Sequence, residues 1–139
     1  MRETDEASCP PVVWQRRVGE ALRNLPDRSA LNRSPLARLA YVERLANERY
    51  GGRLMARGLA LRETLGGCVD LVLSDIADEK GLDREREYIA CLRDGLSCKE
   101  ASRRLGLSRE HVSRTYRRRA LLLLTETFLA TTRSRNQTH

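Results

Sequence analysis

Residues 96–112, which read LSCKEASRRLGLSREHV, contain the start and stop signals of two consecutive helices. Ser97 and Glu100 have the spacing of a capping box, in which each side chain bonds a free backbone N–H at the beginning of a helix. Gly106 is suited to ending that helix, and Ser108 to capping the next one. Two helices joined by a three- or four-residue turn that contains a glycine are typical of a helix-turn-helix. This stretch therefore predicts an all-α fold around it.

The sequence before this stretch also has mostly helical patterning. Gly66 and Gly67 are expected to end one of the helices, because glycine readily adopts the left-handed conformation found beyond helix C-termini. Residues 68–77 fit either a strand or a helix, and the i, i+3, i+4, i+7 spacing of their apolar side chains favours a helix. The other helices are expected at about 12–25, 35–50, 53–65 and 82–95.

Positive charge is concentrated in the C-terminal part of the chain. The 139 residues include 26 Lys or Arg and 19 Asp or Glu, which gives a formal net charge of +7. Residues 1–80 contribute +1 and residues 81–139 contribute +6. A localised positive field attracts polyanions. No apolar run approaches the roughly 20 residues of a membrane span, and the acidic N-terminus is unlike a secretory signal. We therefore expect a cytoplasmic protein without a membrane partner.

The four cysteines lack the spacing of a metal site. Cys9, Cys68, Cys91 and Cys98 include no pair separated by only a few residues, as structural zinc ligands usually are. Reduced, buried thiols are the expected state of these side chains in the cytosol. No acid, base and nucleophile converge in the sequence, so we expect no enzymatic activity, no metal and no cofactor.

Two families resemble the C-terminal part of the chain. Residues 82–112, through LDREREY, GLS and LGLSREHV, resemble the C-terminal DNA-binding domain of LuxR/NarL-type regulators. Residues 105–121, through LGLSREHV followed by RRAL, resemble region 4 of bacterial RNA polymerase sigma factors. Ser102 stands where these families usually have alanine, and Thr115 stands where a larger apolar residue is common. The resemblance implies a helix-turn-helix whose second helix enters the major groove of double-stranded DNA.

The helix that follows Ser108 is expected to have a core side and a DNA side. At roughly 100° per residue, Val112, Thr115, Tyr116 and Leu123 face the core. Arg119 points away from the groove and is expected to form a structural ion pair. By resemblance, base contacts are expected from Arg109, Glu110, Ser113, Arg114 and Arg117, and phosphate contacts from Ser97, Lys99, Arg103, Ser108 and Arg118.

The chain thus divides into a flexible acidic tail at 1–10, a helical platform or oligomerisation region at 11–80, a helix-turn-helix at 81–130 and a flexible tail at 131–139. Residues 120–124 are apolar on all sides of a helix, so they either pack on the platform or form a homodimer. The expected function is that of a DNA-binding transcriptional regulator. The alternative is a sigma-region-4-like module that docks on RNA polymerase or another transcription protein and binds little DNA.

Overall fold

A computed structural model describes the backbone of residues 11–137 and the side chains of residues 11–133. The predicted acidic tail at 1–10, Cys9 and the last two residues lie outside the described residues. Within the described range the chain forms helices and no strand, so the predicted all-α fold is confirmed. The first six helices are α1 (Val12–Arg23), α2 (Arg28–Arg33), α3 (Ala40–Tyr50), α4 (Ala56–Asp75), α5 (Asp83–Arg93) and α6 (Cys98–Leu105), with a 3₁₀ turn at Pro35–Arg38 before α3.

The last helix, α7, is continuous from residue 109 to residue 137. It consists of an α-helical turn at Arg109–His111, a π-helical segment at Val112–Arg117 and a long α-helix at Arg118–Gln137. The helix therefore continues through residues 131–137, which the sequence assigned to a flexible tail. None of the helices in the described part of the chain is both long and apolar enough to cross a membrane.

Gly66 and Gly67 do not end a helix, contrary to the sequence prediction. Both lie inside the 20-residue helix α4. A glycine in a helix interior costs about 1 kcal/mol relative to alanine. The residues on either side, Leu65, Cys68 and Val69, are almost completely buried, and their burial outweighs this cost. The preference for a helix at residues 68–77 was correct up to Asp75.

The predicted helix at 35–50 is divided into two parts. Ser34 Oγ accepts a hydrogen bond from the Leu36 backbone N–H at 3.2 Å, as expected of a cap, but it opens only the 3₁₀ turn. Leu39 is extended, and α3 begins after it. In one continuous helix Leu36 and Val42 would point about 120° apart around the axis, at roughly 100° per residue. The break allows both side chains to be fully buried.

A single hydrophobic core joins the N-terminal and C-terminal helices. Helix α4 is central to it and packs against α2, α3, α5 and α7. The long part of α7 packs on α1, α3 and α4, and its Ala120, Leu124 and Phe128 are buried there. Packing on the platform therefore accounts for this apolar segment within one chain. Leu123, which was expected in the core, is 39% exposed.

Candidate nucleic-acid interface

The turn between α6 and α7 has the local structure that its sequence predicts. Ser97 Oγ accepts from the Glu100 backbone N–H at 3.2 Å, and the Ser97 N–H donates to Glu100 Oε1 at 2.9 Å, which completes the capping box. Gly106 ends α6 with φ +70°. Ser108 Oγ then accepts from the His111 backbone N–H at 3.0 Å and caps α7. These bonds fix both ends of the turn.

Helix α5 holds both of the following helices in place. Arg84 Nη1 donates to the carbonyl oxygen of Leu105, the last residue of α6, at 2.6 Å. Arg119 Nη1 of α7 forms an ion pair with Glu85 Oε2 at 2.9 Å, and the Glu85 side chain is only 13% exposed. The predicted structural ion pair of Arg119 is thereby confirmed. Helices α5, α6 and the start of α7 form one packed unit.

The two departures from the family pattern are accommodated locally. Ser102 is buried, and its Oγ donates to the Lys99 carbonyl oxygen at 2.8 Å, so its hydroxyl has a partner inside α6. Thr115 is half-buried. Ala101 and Val112 complete the contact between α6 and α7 as buried apolar residues. The pair of helices therefore packs without an unsatisfied hydroxyl at Ser102.

Four of the five predicted base-contacting residues lie on the exposed side of α7. Arg109, Glu110, Ser113 and Arg114 are all exposed. Arg114 Nη1 lies 3.4 Å from Glu110 Oε1, and both side chains are more than 70% exposed. An ion pair this exposed contributes little to stability and separates easily. These four residues can therefore turn toward a ligand at low cost.

The predicted phosphate contacts on α6 and in α7 are also exposed. Lys99 and Arg103 are four residues apart and share one side of α6, and Arg118 follows the π-helical segment of α7. Within the described residues, no acidic side chain forms an ion pair with Lys99, Arg103, Arg109 or Arg118. We call Lys99, Arg103, Arg109, Arg114 and Arg118 the basic surface.

Ser97 and Ser108, which were predicted to contact phosphates, also cap the N-terminal ends of α6 and α7. Each hydroxyl oxygen already accepts a backbone N–H, and the hydroxyl proton remains able to donate to a phosphate oxygen. Glu100 stands beside Ser97, and the hydrogen bond from the Ser97 backbone lowers the pKa of its carboxyl group. A phosphate at the N-terminus of α6 would therefore meet an ionised carboxylate. This neighbour makes Ser97 a weaker phosphate contact than Lys99 or Arg103.

Arg117 points inward and does not belong to the exposed side on which it was predicted. In a π-helical segment the backbone bonds join residues five apart, so Arg117 lies above the buried Val112. A Cβ atom at Gly19 of α1 would be only 3.2 Å from Arg117 Nη2. Burial raises the pKa of Tyr88 on α5 to about 12, and a hydrogen bond with Arg117 opposes that shift. Arg117 therefore connects α7 to α1 and α5.

Sequence patterning gave no sign of the π-helical segment and only one hint of the role of Gly19. That hint is the glycine itself: a glycine in the middle of an otherwise good helix often marks a close approach of another element.

Among the residues that the structure describes, no three His, Cys, Asp or Glu side chains are grouped so as to hold a metal ion. Comparisons with family models, with curated proteins and with solved structures found no match for this chain.

Proposed function

We propose that this protein is a DNA-binding transcriptional regulator that uses α6 and α7 as a helix-turn-helix. The observation that supports the proposal is the capped turn at residues 106–108, beside which α6 and α7 present the basic surface. Among the described residues, its one ion pair is the exposed contact between Arg114 and Glu110. Helix α7 is the recognition helix, and its N-terminal residues enter the major groove. Because DNA is its ligand, we place the protein in the cytoplasm of a bacterial cell.

The exposed residues divide into two roles. Arg109 and Arg114 are suited to bidentate hydrogen bonds with guanine, and Glu110 to accepting from cytosine. The Ser113 hydroxyl can accept or donate a hydrogen bond, so it is compatible with several bases. Lys99, Arg103 and Arg118 neutralise phosphates, which positions the protein without reading sequence. Arg117 has no DNA contact in this proposal, because its side chain is turned into the molecule.

The test is a binding titration with duplexes selected from genomic fragments. Arg114→Ala is expected to weaken the preference among fragments by about 1–3 kcal/mol, the discrimination supplied by one bidentate base contact. Arg118→Ala is expected to weaken binding to all fragments alike and to reduce the slope of log K against log salt by about 0.9. Arg53→Ala is the matched control, since Arg53 is exposed in the turn before α4 and belongs to neither α6 nor α7. Absence of binding at low salt would refute the proposal.

A protein-docking module is the second candidate. It is favoured by the two exposed carboxylates of Glu100 and Glu110, which stand at the N-terminal ends of α6 and α7 and oppose a phosphate there. RNA polymerase or another transcription protein would be the partner. The same titration separates the candidates, because a docking module predicts no steep salt dependence on duplex DNA.

A further inference from the structure

The N-terminal platform carries a positive charge of its own that the total for residues 1–80 conceals. Residues 11–39 contain six arginines against only Glu20 and Asp27, a net charge of +4. Two of these arginines, Arg16 and Arg23, are exposed on α1. Within the described residues neither forms an ion pair with an acidic side chain, including the exposed Glu20 that lies between them.

The position of Gly19 shows where these two arginines lie. Arg16, Gly19 and Arg23 are separated by three and four residues, so they share one side of α1. Gly19 is the point of contact with α7, because a Cβ atom there would be 3.2 Å from Arg117 Nη2 and 3.3 Å from Leu121 Cδ2. Arg16 and Arg23 therefore lie one on each side of the α1–α7 contact, and Arg118 of the basic surface follows directly after Arg117.

We infer that Arg16 and Arg23 extend the DNA interface from α7 onto α1, where they bind backbone phosphates beyond the base pairs that α7 reads. This inference rests on the proposed function. Duplex DNA is the partner that fits, because it presents one negative charge per about 1.7 Å along its axis and continues past any site that a single helix reads. Arg118 of the basic surface is the residue next to Arg117, which contacts α1 at Gly19, so a duplex bound at Arg118 passes α1.

The extension is tested by binding two duplexes with the same central site, of about one and about two helical turns, roughly 10 and 20 base pairs. The variant is Arg16→Ala/Arg23→Ala, and the control is Arg38→Ala/Arg53→Ala, which removes the same charge from exposed positions that belong to neither α1 nor α7. On the long duplex the variant is expected to lower the salt slope by about 1.8 and the affinity by roughly 30-fold at 0.15 M salt. On the short duplex it is expected to match the control.

Two results would overturn the inference. Equal binding by the variant and the control at both lengths would show that α1 does not touch DNA and that its charge serves another partner, such as an acidic protein. Equal losses at both lengths would place the two arginines inside the footprint of α7. Thermal melting of both variants checks the fold independently. If the wild-type protein binds neither duplex, the proposed function itself fails, and that outcome is separate from a failure of the variant alone.

Discussion

The hydroxyl of Thr125 is buried in the core without a hydrogen-bond partner among the described residues. A buried hydroxyl in that state loses its bonds to water and gains nothing in return. Thr125→Val keeps the shape of the side chain and removes the hydroxyl. We expect it to stabilise the protein by about 1 kcal/mol. The measurement is urea unfolding followed by circular dichroism.

Thr127→Val is the control for this change. Thr127 Oγ1 donates to the Leu123 carbonyl oxygen at 2.8 Å and lies at a more exposed position of the same helix. Its replacement is expected to change the free energy of unfolding by less than about 0.5 kcal/mol. A lower stability of Thr125→Val than of wild type would show that its hydroxyl is satisfied after all.

Arg117 and Arg118 are neighbours in sequence with different surroundings. Arg117→Ala removes the guanidinium group that lies against Gly19 of α1 and near the buried Tyr88 hydroxyl of α5, and we expect a loss of about 1–3 kcal/mol of stability. Arg118→Ala is expected to stay within about 0.5 kcal/mol of wild type, because Arg118 is exposed. Thermal or urea unfolding of the two variants side by side checks the difference. Equal stabilities would contradict the inward position of Arg117.

At the scale of helices, two glycines inside α4 have different surroundings, which the sequence alone does not distinguish. Gly67 lies inside α4 with no atom near the position of a Cβ, whereas a Cβ at Gly58 would be 2.4 Å from the Arg28 carbonyl oxygen of α2. Gly67→Ala is therefore expected to stabilise the protein by about 0.5–1 kcal/mol. Gly58→Ala is expected to destabilise it by about 1–3 kcal/mol through overpacking. Chemical unfolding measures both, and a destabilising Gly67→Ala would indicate that α4 is bent or broken there.

The caps of α6 and α7 were predictable because their bonds join residues no more than five apart. Serine favours the N-cap position and glycine the C-terminal end of a helix. Ser97, Ser108 and Gly106 take these positions independently of the packing of the rest of the chain. The course of α4 through Gly67 and the inward turn of Arg117 were not predictable in this way. Each is decided by the packing of distant helices, which local preferences do not record.

At the scale of the whole molecule, α7 belongs to both halves of the chain. Its first two turns pack on α5 and α6, and its remainder packs on α1, α3 and α4. The proposed recognition helix therefore has no flexible linker to the platform. Its direction is fixed by the same core that stabilises residues 11–80. A ligand that displaced α7 from the platform would also move Arg109 and Arg114.

This shared helix predicts that the protein unfolds as one unit. Phe128 is fully buried where α7 packs on the platform, and Phe128→Ala is expected to cost about 3–5 kcal/mol. Trp14 reports on α1 by fluorescence, and circular dichroism reports on all helices, so the two signals are expected to shift together to lower denaturant. Two separate transitions, with only one of them shifted by Phe128→Ala, would show that α5, α6 and the start of α7 fold without the platform. In that case the platform would not fix the direction of the recognition helix.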